Sequence, residues 1–322
     1  MAWGEALSPA RCRSSLSRGA MTVPSAPIWS AGCAPVRRMS PQPSEGRVMA
    51  EIYRGTALAA RLNAETRTVV EALGRSPRCV VLLDGADAGM AAYGRRLVES
   101  AAATGITLLT ESYGAAEVLA RLTDLGGDAG VDAVATLYPL PRGIAPLQAA
   151  LALGAAKDID GLHPMNAGLL ALGAPARAPA TAQACRLIAE DIAGPLRGRE
   201  VVLVGASRIV GRPLAQLLLD AGATVTLTHA DTRDLAAHTA KADLVITAAG
   251  QPGLLRSGHL RAGVVVLDVS INRGPEGLIG DVAPDALARP DLTVTHVPDG
   301  VGPVTTACLL ANIAATACEA GT

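Results

Sequence analysis

Two stretches of this chain carry side chains whose types and spacing could do chemistry. The first, "KDIDGLHPMNAGLL" at residues 157–170, sets Lys157, Asp158, Asp160, His163 and Asn166 into one polar loop between apolar segments. A cluster of this kind is either a turn-and-cap loop, whose aspartates accept backbone N–H groups, or part of a site. His163 has no second histidine at metal-ligand spacing, so no metal is expected.

The second stretch, "VVLVGASRIVGRPLAQLLL" at residues 201–219, runs from an apolar strand pattern through Gly205 into a leucine-rich helix pattern. A strand, a glycine turn and a helix in that order aim backbone N–H groups and a positive helix end at one point, where an anion would sit. Gly205 suits the tight turn, Gly211 removes a side chain at the helix start, and Pro213 suits the first helical turn. The strict G-x-G-x-x-G pattern is absent, because Ser207 and Val210 stand at its second and third glycines. An acidic residue roughly 20 positions further on would favour the free ribose of NAD. Asp231 lies near that distance, whereas Arg208, Arg212 and Arg233 favour NADP, so these charges leave the cofactor form open.

Such sites need a frame, and the apolar pattern supplies one. Helical spacing runs from Thr56 to Leu73, followed by alternating strands and helices: "CVVLLDGADAG", "AAYGRRLVESAAATG", "ITLLTESYG", "AAEVLARLTDLGG" and "VDAVATLYPLP". A helix over residues 181–193 precedes a second alternating series. That series comprises strand 200–204, helix 212–221, "ATVTLTH", "DLAAHTAKA", "DLVITAA" and "GVVVLDVS". Alternation of this kind implies parallel sheets in an α/β protein. The last helix, "TTACLLANIAATACEA", has an apolar face that is expected to dock on the first domain. The pattern therefore reads as one α/β domain followed, from near residue 200, by a second with repeated βαβ units. Residues 1–48, rich in Ser, Pro and Arg, read as a disordered extension or a start set too early.

Composition narrows the partners. The formal net charge of −1 leaves no basic field for nucleic acid or anionic lipid, and half of the residues are apolar. No run is long enough to span a bilayer. The six cysteines are scattered without a C-x-x-C pair, which argues against a zinc site or a disulfide framework and points to a cytoplasmic setting.

Seven segments in order, "LYPLP", "KDIDGLHPMNAG", "GASRIVGRP", "ADLVITAAGQPG", "DVSINR", "GDV" and "VPDGVGPVTTACLLANI", resemble the bifunctional methylenetetrahydrofolate dehydrogenase/methenyltetrahydrofolate cyclohydrolase family. The resemblance covers residues 49–322. It implies an N-terminal α/β catalytic domain over 49–170 plus 304–322, the last helix returning to it, and a Rossmann-like dinucleotide-binding domain over 171–303. It also implies a homodimeric enzyme of one-carbon metabolism with tetrahydrofolate derivatives as substrates and NADP, or else NAD, as cofactor. It also implies that Tyr93 stacks on the pterin and Asp160 hydrogen-bonds it, both as catalytic and substrate-binding residues. Pro298, Gly300 and Gly302 would line the folate mouth. Gly205, Ala206, Ser207 and Gly211 would hold the cofactor phosphates, and Ile271 would lie near the nicotinamide. A flat, donor-rich heterocycle does require an aromatic face and a buried carboxylate.

The chain departs from that family at telling positions. Leu97 stands where the family has a lysine tied to the cyclohydrolase step, and Leu137 where it has a glutamine. Only Lys157 and Lys241 exist in the whole chain. Arg95 and Arg96 flank the position, but a guanidinium does not release a proton usefully at neutral pH. Ser270 and Asp299 each replace a family glycine, and Asp299 would be strained if that backbone has positive φ. The expectation is a dehydrogenase whose hydrolytic activity is very low. The alternatives are a catalytically silent folate or nucleotide binder, and a Rossmann dehydrogenase with another substrate.

Overall fold

The computed structural model describes residues 49–114, 117–275 and 277–320; the reading of residues 1–48 lies outside them. The chain opens with β1 (Glu51–Tyr53) and α1 (Thr56–Leu73). The helix buries Leu58, Leu62, Thr66, Val69 and Val70 along one stripe and stops at Gly74, whose φ of 72° ends it in the left-handed region. Next come β2 (Arg78–Leu83), α2 (Ala88–Ala103), β3 (Thr107–Ser112), α3 (Val118–Gly127), β4 (Ala133–Thr136), α4 (Pro146–Leu153), α5 (Pro164–Ala171) and α6 (Ala180–Ala193). Strands β3, β2 and β4 form a parallel three-stranded sheet with β2 central. The unbroken apolar run of β2 fits that central position, since a parallel strand is covered on both faces.

The second series is β5 (Glu200–Val204), α7 (Gly211–Asp220), β6 (Thr224–Thr228), α8 (Leu235–Thr239), β7 (Leu244–Thr247) and β8 (Val265–Asp268). A hairpin of β9 (Asn272–Gly274) and β10 (Gly277–Ile279) follows, then α9 (Pro284–Leu287), β11 (Thr293–Thr295) and α10 (Gly302–Ala320). The larger sheet has the order β1-β11-β8-β7-β5-β6 and is parallel throughout.

Two features differ from the linear reading. Glu51–Tyr53 pairs with Thr293–Thr295 and extends the larger sheet, although helix α1 right after it packs on α10. Three residues are too few to display a periodicity, so this strand could not be seen in sequence. Residues 164–171 inside the polar loop form a helix, begun by a proline at its first turn and capped by His163. Helix α10 packs on α1 and α6, as its apolar face required. One core cluster joins Val81 of β2, Leu97 of α2, Ile188 of α6, Leu203 of β5 and Leu310 of α10, so the two sheets share a hydrophobic interior.

Cys79, Cys185 and Cys308 are buried free thiols, while Cys318 is disulfide-bonded, which its spacing did not announce. Among the described residues no helix is long and apolar enough to cross a membrane, and no His/Cys/Asp/Glu group could hold a metal ion.

Candidate active site

Strand β5 pairs with β6 on one side and β7 on the other, so the strand order reverses there. In an open parallel sheet the crevice for a ligand lies beyond the carboxyl end of the strands at that reversal. Gly205 occupies this point. Its φ is +115°, and a Cβ there would stand 2.5 Å from the Ala248 carbonyl oxygen, so an L side chain is excluded on both counts. A Cβ on Gly211 would collide with the carbonyl of Gly205, which lets α7 start hard against the turn. The Ser207 hydroxyl accepts the N–H groups of Val210 (3.1 Å) and Gly211 (3.4 Å) and so caps the helix that the glycines bring in. Ala206 lies inside the turn, and its carbonyl accepts from Arg212 Nε at 3.1 Å. The cradle thus suits the phosphates of a dinucleotide. Asp231 projects from the end of β6 with 96 % of its side chain exposed, and its N–H donates to His229 Nδ1 at 3.2 Å.

The loops after β7 and β8 stand beside this turn and are fastened by Asp281, which is wholly buried. Asp281 Oδ2 accepts from Thr247 Oγ1 (2.7 Å), the Ala249 N–H (2.9 Å) and Ser270 Oγ (2.7 Å), and Oδ1 accepts from the Gln251 N–H (2.7 Å) and Asn272 Nδ2 (3.2 Å). The backbone N–H groups of Asp281 and Val282 in turn donate to Asp268. Burial pushes the Asp268 carboxyl up to about 6 despite those bonds. Ile271, adjacent to Ser270, is 55 % exposed at this edge.

On the first domain, Tyr93 sits on α2, whose start is capped by Asp87 accepting from Gly89 N (2.7 Å) and Met90 N (2.9 Å). The phenol is raised above its ordinary range by burial, against the pull of Thr306 on α10. The Arg96 guanidinium lies 6.0 Å from the ring centroid, at the outer reach of a cation–π contact. Asp160 is near enough for its charge to raise the Tyr93 phenol as well. Burial, and next the charge of Asp158, raise its carboxyl to about 7, although the Thr136 N–H pulls the other way. Tyr138, Thr136, Asp158, Asp160 and Leu162 line a small recess here.

The structure divides the polar loop into structural and available groups. Asp158 accepts the His163 N–H (2.7 Å) and Asn166 Nδ2 (3.0 Å), while Lys157 Nζ donates to the carbonyls of Leu125 (2.8 Å) and Asp128. His163 Nδ1 accepts from Met165 N at 3.1 Å and serves as a helix cap. Asn312 of α10 donates to the Ile159 carbonyl (2.8 Å), fixing the residue next to Asp160. The turn-and-cap reading therefore holds for Asp158, and Asp160, which takes a backbone hydrogen bond from Thr136, lines the recess beside it.

Leu97, one turn after Tyr93, is 0 % exposed, and Leu137 packs on the same core. At the mouth, Pro298 follows a cis peptide bond, a Cβ on Gly300 would meet the His296 carbonyl at 2.6 Å, and Gly302 opens α10 into free space. Asp299 does not have positive φ, so it carries no strain there; its carboxylate pairs with Arg54 at 3.1 Å, with His296 Nδ1 at 3.5 Å. The condition for a strained Asp299 is therefore not met.

Sequence reasoning missed Tyr138, Thr306 and the hub role of Asp281. The signal for Asp281 was the short "GDV" segment, in which one buried carboxylate gathers donors from two loops.

Residues 179–320 match the family described as tetrahydrofolate dehydrogenase/cyclohydrolase, NAD(P)-binding domain. The chain is 41 % identical over 281 residues to the bifunctional protein FolD of Bordetella petrii, covering 85 % of this chain and 94 % of that one. Among solved structures it resembles the bifunctional FolD methylenetetrahydrofolate dehydrogenase/cyclohydrolase of Campylobacter jejuni, with TM-score 0.76, 35 % identity, and 82 % and 97 % of the two chains covered. The FolD structure of Trypanosoma brucei, complexed with NADP cofactor and inhibitor, matches with TM-score 0.76, 30 % identity, and 84 % and 97 % covered.

Proposed function

Because this chain belongs to the bifunctional methylenetetrahydrofolate dehydrogenase/cyclohydrolase family, we propose that it oxidises methylenetetrahydrofolate with NAD(P) and hydrolyses the methenyl product poorly. The observation that carries this split is Leu97, fully buried at the turn of α2 after Tyr93. The bound dinucleotide supplies the hydride acceptor. As a hydride leaves the methylene carbon, the folate becomes a methenyl cation, and no proton has to be moved. The residues then need only to orient two flat rings. In this reading Gly205, Ala206, Ser207 and Gly211 hold the phosphates, and Ile271 covers the nicotinamide end. Tyr93 gives the pterin an aromatic face, ionised Asp160 accepts its N–H groups, and Pro298, Gly300 and Gly302 border the rest of the folate.

Hydrolysis asks for more. Water must add to the methenyl carbon and lose a proton, which calls for a positioned base or a polarising cation. The side chains at the two positions that would serve are leucines, and Lys157 is engaged by two backbone carbonyls. The chain is further read as a cytoplasmic homodimer without nucleic-acid or membrane partners. The exposed edge strand β3, with Leu109 half-exposed, supports the pairing of two copies.

The test is a pair of assays on the full chain. Reduced-cofactor formation from methylenetetrahydrofolate should be enzymatic, while methenyltetrahydrofolate should decay close to its spontaneous rate. Enzymatic hydrolysis as fast as the oxidation would end this reading.

A further inference from the structure

We propose that Ser270 is a positioning residue for the dinucleotide: its hydroxyl clamps the loop after β7 to the buried Asp281 and so fixes the wall beside the Gly205 turn. The inference rests on the dinucleotide reading of that turn.

The geometry is specific to this one hydroxyl. Ser270 Oγ donates to Asp281 Oδ2 at 2.7 Å and accepts the Gly250 N–H at 3.0 Å. The flanking amides of Ala249 and Gln251 go directly to the two oxygens of the same carboxylate. Three consecutive backbone N–H groups are thereby consumed, and the middle one reaches the carboxylate only through Ser270. Gly250 has a φ of +66°, so this short loop turns sharply at the amide that Ser270 holds. Its first residue, Ala248, presents the carbonyl that stands against Gly205. The register places Val204, Thr247 and Asp268 side by side at the carboxyl edge of the sheet, so loop and turn leave the sheet together. On the other side of Ser270, the half-exposed Ile271 takes its direction from the same anchored backbone. Loosening the hydroxyl therefore frees the Gly250 amide and lets the wall of the crevice shift, while Tyr93 and Asp160 on the first domain are untouched.

The experiment measures binding of NADPH and of NADH by fluorescence titration, and KM for methylenetetrahydrofolate, in the wild-type chain and in Ser270→Ala, Ser270→Gly and Ser270→Thr. Loss of the hydroxyl should weaken dinucleotide binding about threefold to tenfold with folate KM within twofold, and the threonine should restore most of it. Hydrogen exchange at Gly250 should accelerate in the alanine variant and be slowed again by threonine. The glycine variant gives the same reading if alanine does not fold. Unchanged dinucleotide affinity in a folded alanine or glycine variant overturns the proposal. So does an equal loss in threonine, or folate KM rising in step with the dinucleotide constant. A wild-type chain that binds neither dinucleotide overturns the reading of the turn itself, a result distinct from these.

Discussion

The region proposed for the dinucleotide and the region proposed for the folate are built on opposite principles. At the dinucleotide edge, the polar groups are numerous and matched: Asp281 alone collects donors from Thr247, Ala249, Gln251, Ser270 and Asn272. At the proposed folate edge, Leu97 and Leu137 pack on the core, and Asp158 and Asp160 both line the recess. Fixed backbone geometry is what a hydride transfer needs from a protein, whereas a positioned proton carrier is what hydrolysis needs. In the proposed function the contrast separates a half that has only to orient two rings from a half that would have to move a proton.

The largest way to break the contrast is at the turn. Gly205→Ala adds a methyl facing the Ala248 carbonyl at a backbone φ of +115°. The cost is expected to exceed ~2 kcal/mol of stability. Dinucleotide binding should fall at least about a hundredfold if the strain is relieved by moving the turn. Chemical unfolding and a cofactor titration check it, and a variant that still binds with wild-type affinity would mean that the phosphates rest elsewhere.

On the folate side, Asp160→Asn should lower kcat/KM about 10- to 100-fold, since the amide keeps the shape but loses charge-assisted bonds to the pterin. Its pH dependence sharpens the point. The folded carboxyl titrates near 7, far above its ordinary value of 3.8, so the folded state favours the protonated form. Its contribution to stability is therefore full at pH below its unfolded value and is lost as pH rises toward 7. Ligand binding has the opposite sign, because the ionised form is the acceptor: folate kcat/KM should fall about tenfold per unit as pH drops below about 7. Profiles of wild type and Asp160→Asn decide this, since the asparagine variant should lose that limb.

Restoring a proton-moving group has a smaller and two-sided effect. Leu97→Lys places an amine where the side chain is fully buried, so stability should drop by ~2–4 kcal/mol. Combined with Leu137→Gln, which returns a polar neighbour, methenyltetrahydrofolate hydrolysis should rise about tenfold while oxidation changes little. Hydrolysis that stays at background in a folded double variant would show that more than these two side chains is missing.

How much could be read beforehand follows the same division. Long periodic elements announced themselves: Thr56–Leu73 and Glu200–Val204 occur at the expected bounds, because apolar spacing is a local property. Gly205 and Gly211 were readable because only glycine fits a turn packed that tightly. The strand Glu51–Tyr53 was not, as three residues acquire meaning only from a partner more than two hundred positions away. Asp158 and Asp160 look alike in sequence, and only the fold shows that one accepts from His163 and Asn166 while the other is pushed up to about 7 by burial and by the charge of its neighbour. Asp281 hid for the same reason, since its donors come from strand ends and loops that sequence does not bring together.

The smallest expected effect concerns Asp299, where sequence suggested strain and the structure offers an ion pair instead. The carboxylate is half exposed, with Arg54 at 3.1 Å and His296 Nδ1 at 3.5 Å. A pair this solvated contributes little, on the order of 0–1 kcal/mol, and salt screens it. Asp299→Gly also frees backbone entropy in the unfolded chain, which offsets any relief. Stability should therefore change by less than about 1 kcal/mol, with folate KM within about twofold at moderate salt. A gain well above that in an unfolding titration would mean that Asp299 is held in strain after all. A tenfold rise in KM would instead make the Arg54–Asp299 pair part of the folate mouth, and the folate half would then be more polar than its leucines suggest.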